Sequence, residues 1–555
     1  MVTTSGAETM RSKEGRRAAR GVVALAICVC GASTLTGCPY SDPCWEVEAC
    51  EPDPVPPPGP CEGEPGTAPA LDECGVFVSP LSGDDRSPGT KDAPVKTLQH
   101  AIGLAAHGRG RGEDATLRVY ACGGEFAETI TLPSGVDLWG GRLCDGGDWS
   151  YEGSFGGPDH PTIIAPPGGI PLRVLREEGK AVAGDNATSV IAGVRVVAAD
   201  ASAPDGKSSI AVILSTGARA IVQDSVIVAG NGKDGEPGED ADTERAPDGM
   251  AGNHGVDACT TDAAVGALPV VTVCGDGIES TGGYGGDGGL DVGGDGAPGQ
   301  PALAEDPKLD SHAGLGADQR RCEDGGDGAN GADGGRADGA LGPGFLSDDG
   351  WTGVRGGDGK KGGVGHGGGG GGGSKSRGPM FACPVGLPQS GAAGGSGGSG
   401  GCGGKGGGGG GYGGASIGIV ALEGTDLTVA NTDVFTGDGG RGGVGGTGQP
   451  GGVGRSAGNG GRGYAGEGMW HACEGGDGGN GGRGGDAGGG LGGASVGIAY
   501  VVPNFAIRPG TTVSVGGAGD GGFAGNAGTE DEVGKGESGP RGQLVAFPAA
   551  SEPLH

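Results

Sequence analysis

Apolar residues in this chain recur with the period of strands. Ile130 and Leu132, then Val136 and Leu138, alternate with polar neighbours across Glu128–Gly141, as half-buried strands do. Thr162–Ala165, Leu172–Val174, Val190–Val197, Ile210–Leu214 and Ala220–Val228 are further short β-branched runs, each bounded by Gly, Pro or Asp. Short strands at such spacing predict the stacked coils of a solenoid. After residue 230 the apolar strands return only at Val270–Val273, Ile417–Leu422, Leu427–Phe435 and Val496–Val502. Gly413–Ile419 and Gly492–Ile498 are near-copies 79 residues apart, and Ser208–Val212 is a looser third copy.

Glycine triplets fill the intervals. Read in threes, Gly439–Gly468 has glycine in nine of ten first positions, six second positions and one third position. Three residues per turn is the repeat of the polyproline II helix, which has no internal hydrogen bonds. Two bare edges would let such helices pack closely, with the third position pointing outward (Arg441, Val444, Thr447, Arg462). Collagen is a poor fit, because the runs are broken, prefer Gly-Gly-X and contain few prolines. The phase resembles mycobacterial glycine-rich surface repeats of the PGRS type and glycine-rich antifreeze bundles. That resemblance implies packed polyglycine II helices. Mobile disorder is the competing state, since fixing glycine costs roughly 0.5–1 kcal/mol more than fixing alanine.

Val76–Pro80 followed by Gly83–Ile102 (GDDRSPGTKDAPVKTLQHAI) resembles the opening of bacterial right-handed parallel β-helix proteins, the pectate-lyase-like superfold. The resemblance implies a capping helix at Leu98–Ala106 with Ile102 on the first coil. The expected fold class is therefore all-β: a right-handed parallel β-helix with polyglycine II-like insertions. Its expected divisions are 1–37 signal peptide, 38–74 Pro/Cys-rich acidic stalk, 75–230 β-helix, 231–490 glycine-rich insertions with returning strands, and 491–555 terminal coils and tail.

Composition changes the picture in two ways. Glycine supplies 142 of 555 residues and aromatics only 4%, so much of the chain cannot form an ordinary apolar core. A formal charge of −32 with no basic, aromatic-interleaved patch argues against nucleic acid as a partner. The address is written at the start. Arg11, Lys13, Arg16, Arg17 and Arg20 precede an apolar run, Val22–Val29, too short to span a membrane. Leu35-Thr36-Gly37-Cys38 resembles a bacterial lipobox, which implies lipidation of Cys38 and a membrane partner through that anchor. Removal of residues 1–37 takes five basic and two acidic residues and shifts the formal charge to −35.

Twelve cysteines then remain beside Cys38: Cys44, Cys50, Cys61, Cys74, Cys122, Cys144, Cys259, Cys274, Cys322, Cys383, Cys402 and Cys473. An even number in an exported chain predicts disulfides, with Cys122–Cys144 and Cys259–Cys274 expected as local bridges. Zinc is disfavoured, because no CxxC pair occurs.

The enzyme signals are letter-matches. Asn431-Thr432-Asp433, Asp348-Asp349 and Gly365-His366-Gly367 resemble polygalacturonase motifs but stand in the wrong order, and no basic motif follows. Asp200, Asp224 and Arg219 supply lyase-type residue chemistry without diagnostic spacing. Gly325–Asn330 and Gly475–Asn480 approach the calcium nonapeptide but carry Asn where the ligating Asp belongs, so only non-specific Ca²⁺ is expected and no cofactor. Two functions follow. The first is a non-enzymatic envelope lipoprotein of the outer membrane or cell surface, structural, adhesive or matrix-binding. The second is a carbohydrate-binding or polysaccharide-degrading protein, with Trp139, Trp149, Tyr151, Trp351 and Trp470 as stacking candidates.

Overall fold

The computed structural model describes residues 59–550 apart from 108–116, 145–146, 152–160, 177–186, 203–207, 276, 302–310, 378–382, 466–467, 503 and 529. The protein is nearly all β, with three long parallel sheets and one described helix, Leu98–Ala106. The chain visits the sheets in rotation. From Ile130–Pro133 in the third sheet it passes to Asp137–Leu143 in the first, Thr162–Ile164 in the second, and Leu172–Leu175 in the third again. Ser189–Ala192, Val194–Val197 and Ser209–Leu214 make the next circuit, and Arg219–Gln223 with Val226–Ala229 begin another.

Each sheet stacks its strands in chain order, and the inward residues form one apolar column. Leu132, Leu138, Ile164, Val196, Val222, Leu427 and Ile498 belong to it. The helix Leu98–Ala106 lies over the first end with Leu98, Ala101, Ile102 and Ala105 buried. Its free N–H groups at Leu98 and Gln99 donate to the Glu128 carboxylate at 2.7 and 3.1 Å.

Two apolar runs that read as single strands are pairs. Val190–Val197 breaks at Gly193 (φ 66°) and Ala220–Val228 at Asp224 (φ 48°). Asn431 (φ 43°) breaks Leu427–Phe435 in the same way. One left-handed residue swings the chain from the first sheet to the second, and Asp and Asn tolerate that conformation better than other side chains. The corners are tied to each other, since Asn431 Nδ2 donates to Asp224 Oδ1 at 2.7 Å. Val271–Val273 is also not a returning coil strand. It pairs antiparallel with Glu279–Thr281 in a separate hairpin.

Every long glycine-rich excursion leaves the second sheet and re-enters the third. Val226–Ala229 leads out and Ser416–Ala421 returns; Asp433–Thr436 leads out and Ser495–Tyr500 returns; Thr512–Ser514 leads out and Arg541–Ala546 returns. The stacking offset of the strands carries into the excursions. Ser209 lies beside Ser416 and Val226 beside Asp433, 207 residues apart. Beyond the strands, the N–H groups of Gly232, Gly235 and Gly238 donate to the carbonyls of Asp438, Arg441 and Val444 at 2.7–2.8 Å. The offset there is 206, so the segments run parallel, one donor every third residue.

Candidate display surface

The glycine-rich segments are cross-bonded on several sides, and the number of neighbours explains their composition. Residues 391–414 sit in the middle. Gly411 and Gly414 donate to Glu236 and Lys233, Gly398 and Gly401 to Gly476 and Gly479, and Gly397 to Gly283. The same stretch accepts from Gly440 and Gly443 and from Gly356 and Gly359. Five segments surround it, and every residue from Ser390 to Gly404 is buried. Only Gly, Ala, Ser and the bonded Cys402 occupy that run.

Segments nearer the surface carry fewer glycines per triplet. In 439–462 two positions are packed and the third is free: Gly443, Gly445 and Gly446 are buried, while Arg441, Arg462 and Val444 (46%) are exposed. In 232–240 only the first position packs, and Asp234, Glu236, Pro237, Glu239 and Asp240 face solvent. Residues 353–374 show the transition within one segment. Lys360 and Lys361 are exposed, but from Gly367 to Gly373 a Cβ would overlap the carbonyl oxygens of segments such as Thr281, Tyr284, His312 and Leu315. His366 stands just before the segment becomes enclosed.

The acidic third positions have a specific partner. Asp324, Asp327, Asn330 and Asp333 accept from the backbone N–H of Glu474, Asp477, Asn480 and Arg483 at 2.9, 2.8, 2.8 and 2.7 Å, always 150 residues apart. Asn231, Asp234 and Asp240 accept from Asp438, Arg441 and Thr447 at 2.8, 2.7 and 2.7 Å, 207 apart. Past Ala241 the lower segment holds two extra residues, and the ladder resumes at an offset of 205 with Asp248 to Val453 and Asp257 to Arg462. Among the described residues these third-position N–H groups have no backbone carbonyl partner, and the side-chain oxygens of the adjacent segment satisfy them. The residues that resemble a calcium nonapeptide (Asp327, Asn330, Asp477, Asn480) are rungs of this ladder. Among the described residues no group of three or more His, Cys, Asp or Glu is placed to hold a metal.

At Asp486 two effects oppose. Burial pushes its carboxyl up, while the Arg483 guanidinium (2.7 Å), the Gly448 N–H (3.0 Å) and the charge of Arg336 pull it down, and the net is below the usual carboxylate range.

Disulfides fasten the bundle across long spans. Cys259 pairs with Cys383, Cys274 with Cys402, and Cys322 with Cys473, over 124, 128 and 151 residues. The expected Cys259–Cys274 bridge is therefore absent. The two cysteines lie on segments that each face a different part of the 383–402 stretch, so each bonds across the bundle. Cys122–Cys144 and Cys61–Cys74 close local loops. Five disulfides indicate an oxidising, extracellular or periplasmic setting. Cys38, Cys44 and Cys50, with the lipobox, lie outside the described residues.

The enzyme-like motifs occupy three separate elements. Asn431–Asp433 is a sheet corner, where buried Thr432 donates to Ala430 O at 2.8 Å. Asp348 and Asp349 form the tip of the hairpin Phe345–Ser347/Gly350–Thr352, and His366 is in the bundle. Asp224 holds the corner, Arg219 lies 3.9 Å from Asp426, and Asp200 accepts from Asn231 N. Trp139, Trp149 and Trp351 are buried, at 1%, 2% and 4% exposure, and offer no open ring face. Tyr151 is half-buried, with its phenol pushed up to about 12 by burial and Asp224. Trp470 is half-buried, with Lys375 Nζ 5.5 Å from its ring. No described helix is long and apolar enough to cross a membrane.

Sequence reasoning missed the ladders. Their signal was present as Asp or Asn recurring at third positions at a constant offset, but that offset has meaning only once the neighbouring segment is known. The chain matches no protein-family model, no curated protein and no solved structure.

Proposed function

We propose that this chain is a non-enzymatic cell-envelope lipoprotein whose role is structural, adhesive or matrix-binding. In this reading the three rotating sheets are the faces of a right-handed parallel β-helix. The excursions are polyglycine II-like helices, stacked at the strands' own offset. A diacylglycerol on Cys38 and the Pro-rich stretch after it hold the body at the outer membrane or cell surface.

The observation that carries the reading is the outward third position. The bundle fixes its backbone through hydrogen bonds every third residue and leaves Arg441, Val444 and Arg462 exposed along one segment. Side chains at fixed spacing on a cross-bonded sheet of helices suit multivalent contact with a repetitive matrix polymer. The burial of three tryptophans and the dispersal of the hydrolase-like motifs weigh against polysaccharide cleavage.

The test is incubation of the purified full-length protein with envelope polysaccharide from its own cells. Co-sedimentation with unchanged polymer length is expected. Shortening of the polymer, or no association with any envelope fraction, would overturn the proposal.

A further inference from the structure

One row of the glycine-rich bundle is filled along only part of its length. Residues 282–289 lie in it between two other segments. Gly283, Gly286 and Gly289 donate to the carbonyls of Gly368, Gly371 and Ser374 at 2.7, 2.8 and 3.0 Å. Their own carbonyls accept from Gly397, Gly394 and Gly391 at 2.9, 2.8 and 2.9 Å. The two flanking segments run on beyond that point and stay bonded to each other, with Gly356, Gly359 and Gly362 donating to Gly410, Gly407 and Gly404 at 2.9 Å. The chain in the row between them stops at the hairpin Val271–Val273/Glu279–Thr281, where Cys274 bonds to Cys402 and Ser280 Oγ accepts from Gly400 N at 2.8 Å. Past the hairpin lies a groove of about 440 Å³, walled by residues 239–242 on one side and Arg355, Asp358 and Gly359 on the other, with 405–408 as its floor.

The two bonding rows that hold 282–289 continue along this groove unused. The N–H groups of Gly403 and Gly406 extend the donor row of Gly391, Gly394 and Gly397. The carbonyls of Gly356, Gly359 and Gly362 extend the acceptor row of Gly368, Gly371 and Ser374. Among the described residues none of these five groups has a partner, although backbone groups inside a packed structure are almost always paired. Gly406 and Gly359 line the groove itself. At its far end Asp358 Oδ1 accepts from Gly409 N at 2.7 Å, a side chain doing there what the carbonyls of 282–289 do further back.

We propose that this groove takes an extended glycine-triplet segment of another polypeptide, with basic third residues, as a further member of the bundle. Residues 282–289 are its template. A Cβ on Gly282, Gly285 or Gly288 would overlap the carbonyl oxygens of Gly397, Gly394 and Gly391, so the incoming chain needs glycine at its first position. Its second residue must carry an N–H, because that is the group Gly283 and Gly286 use, and proline there is excluded. The third residue meets a rim of four carboxylates (Glu239, Asp240, Asp242, Asp358) against two cations (Arg355, Lys405), which favours lysine over aspartate. The mode is the polyproline II counterpart of adding a strand to a sheet edge. It requires the ordered bundle and is independent of the lipid anchor and of matrix binding.

The experiment titrates the full-length protein into fluorophore-labelled (Gly-Gly-Lys)₄ at low ionic strength and reads anisotropy. (Gly-Pro-Lys)₄ has the same charge and a preformed polyproline II shape but lacks the second-position N–H, so it should bind at least tenfold more weakly; (Gly-Gly-Asp)₄ should also bind more weakly than (Gly-Gly-Lys)₄. Amide exchange should slow on binding within 403–411 and stay unchanged in 439–462. Ala241→Phe, which fills the groove from its wall, should weaken (Gly-Gly-Lys)₄ at least fivefold. Because that variant could disturb packing, the exchange map of the native protein is the independent reading of the site. Equal affinity for (Gly-Gly-Lys)₄ and (Gly-Pro-Lys)₄ would reduce the binding to charge and overturn the proposal, as would protection that appears outside the groove or no binding at all. Sedimentation of the protein alone should show one species; a dimer that (Gly-Gly-Lys)₄ dissociates would give the groove to a second copy and overturn the assignment to a separate partner.

Discussion

Replacing Gly443 with valine perturbs the bundle where its segment meets three others. The Gly443 N–H donates to Gly411 O at 2.7 Å, and its carbonyl accepts from Gly490 N at 2.9 Å. A Cβ on Gly443 would overlap the Glu236 carbonyl oxygen of a third segment. Making room parts this segment from its neighbours and breaks both bonds, at about 1 kcal/mol each. Overpacking adds about 1–3 kcal/mol, for a total of roughly 3–5 kcal/mol in local opening free energy. Val444→Ala, at an exposed third position beside it, should stay within about 0.5 kcal/mol of the parent. Tryptic cleavage at Arg441, Arg455 and Arg462 reads the difference, because all three are exposed but lie on bonded backbone. When opening and closing are fast relative to cleavage, the cleavage rate tracks the open population. Gly443→Val should then be cut more than a hundredfold faster, and Val444→Ala at the parental rate. Equal cleavage of both variants would refute the packing argument.

Peptide mapping without reduction should recover Cys259–Cys383, Cys274–Cys402 and Cys322–Cys473; in the chain-entropy description such loops contribute about 4–5 kcal/mol each, so removing Cys322–Cys473 should lower the melting temperature measurably. Asp486 has its folded pKa below the ordinary carboxylate value, so its contribution is present above the unfolded pKa of about 3.9 and is lost as pH falls through the folded value. Asp486→Asn should flatten the acid limb of an unfolding-versus-pH curve, and an unchanged limb would contradict the assignment. Asp327→Ala should cost about 1 kcal/mol in thermal unfolding by leaving the Asp477 N–H to water, while Asp327→Asn keeps the acceptor and should be nearly neutral. Cys38→Ser should move the protein from the membrane fraction to the soluble fraction; retention in membranes would rule out the anchor.

The sequence made the local physics legible. Period-two alternation marked Ile130 and Leu132, and the three-residue glycine phase separated Gly443 from Val444. Two neighbouring strands joined by a short corner read as one run, because only Gly193 interrupts the first apolar stretch and only Gln223-Asp224-Ser225 the second. The long-range partners stayed hidden. Whether Cys259 meets Cys274 or Cys383 depends on which segment lies beside it, and segments of similar composition carry no label for their neighbour. The glycine count per triplet does carry one quantity, the number of packed sides. On that scale 391–414, with 17 glycines in 24 residues, reads as the innermost segment, although by composition alone it reads as the most mobile.

That inversion supplies the most direct test of the ordered bundle on which the display role depends. Amide exchange of the native protein, followed peptide by peptide, should find 391–414 among the slowest-exchanging segments, comparable to the core strand Ser416–Ala421 and slower than 232–240 at the edge. Full labelling of 391–414 at the rate of an unstructured chain, with Ser416–Ala421 still protected, would contradict it.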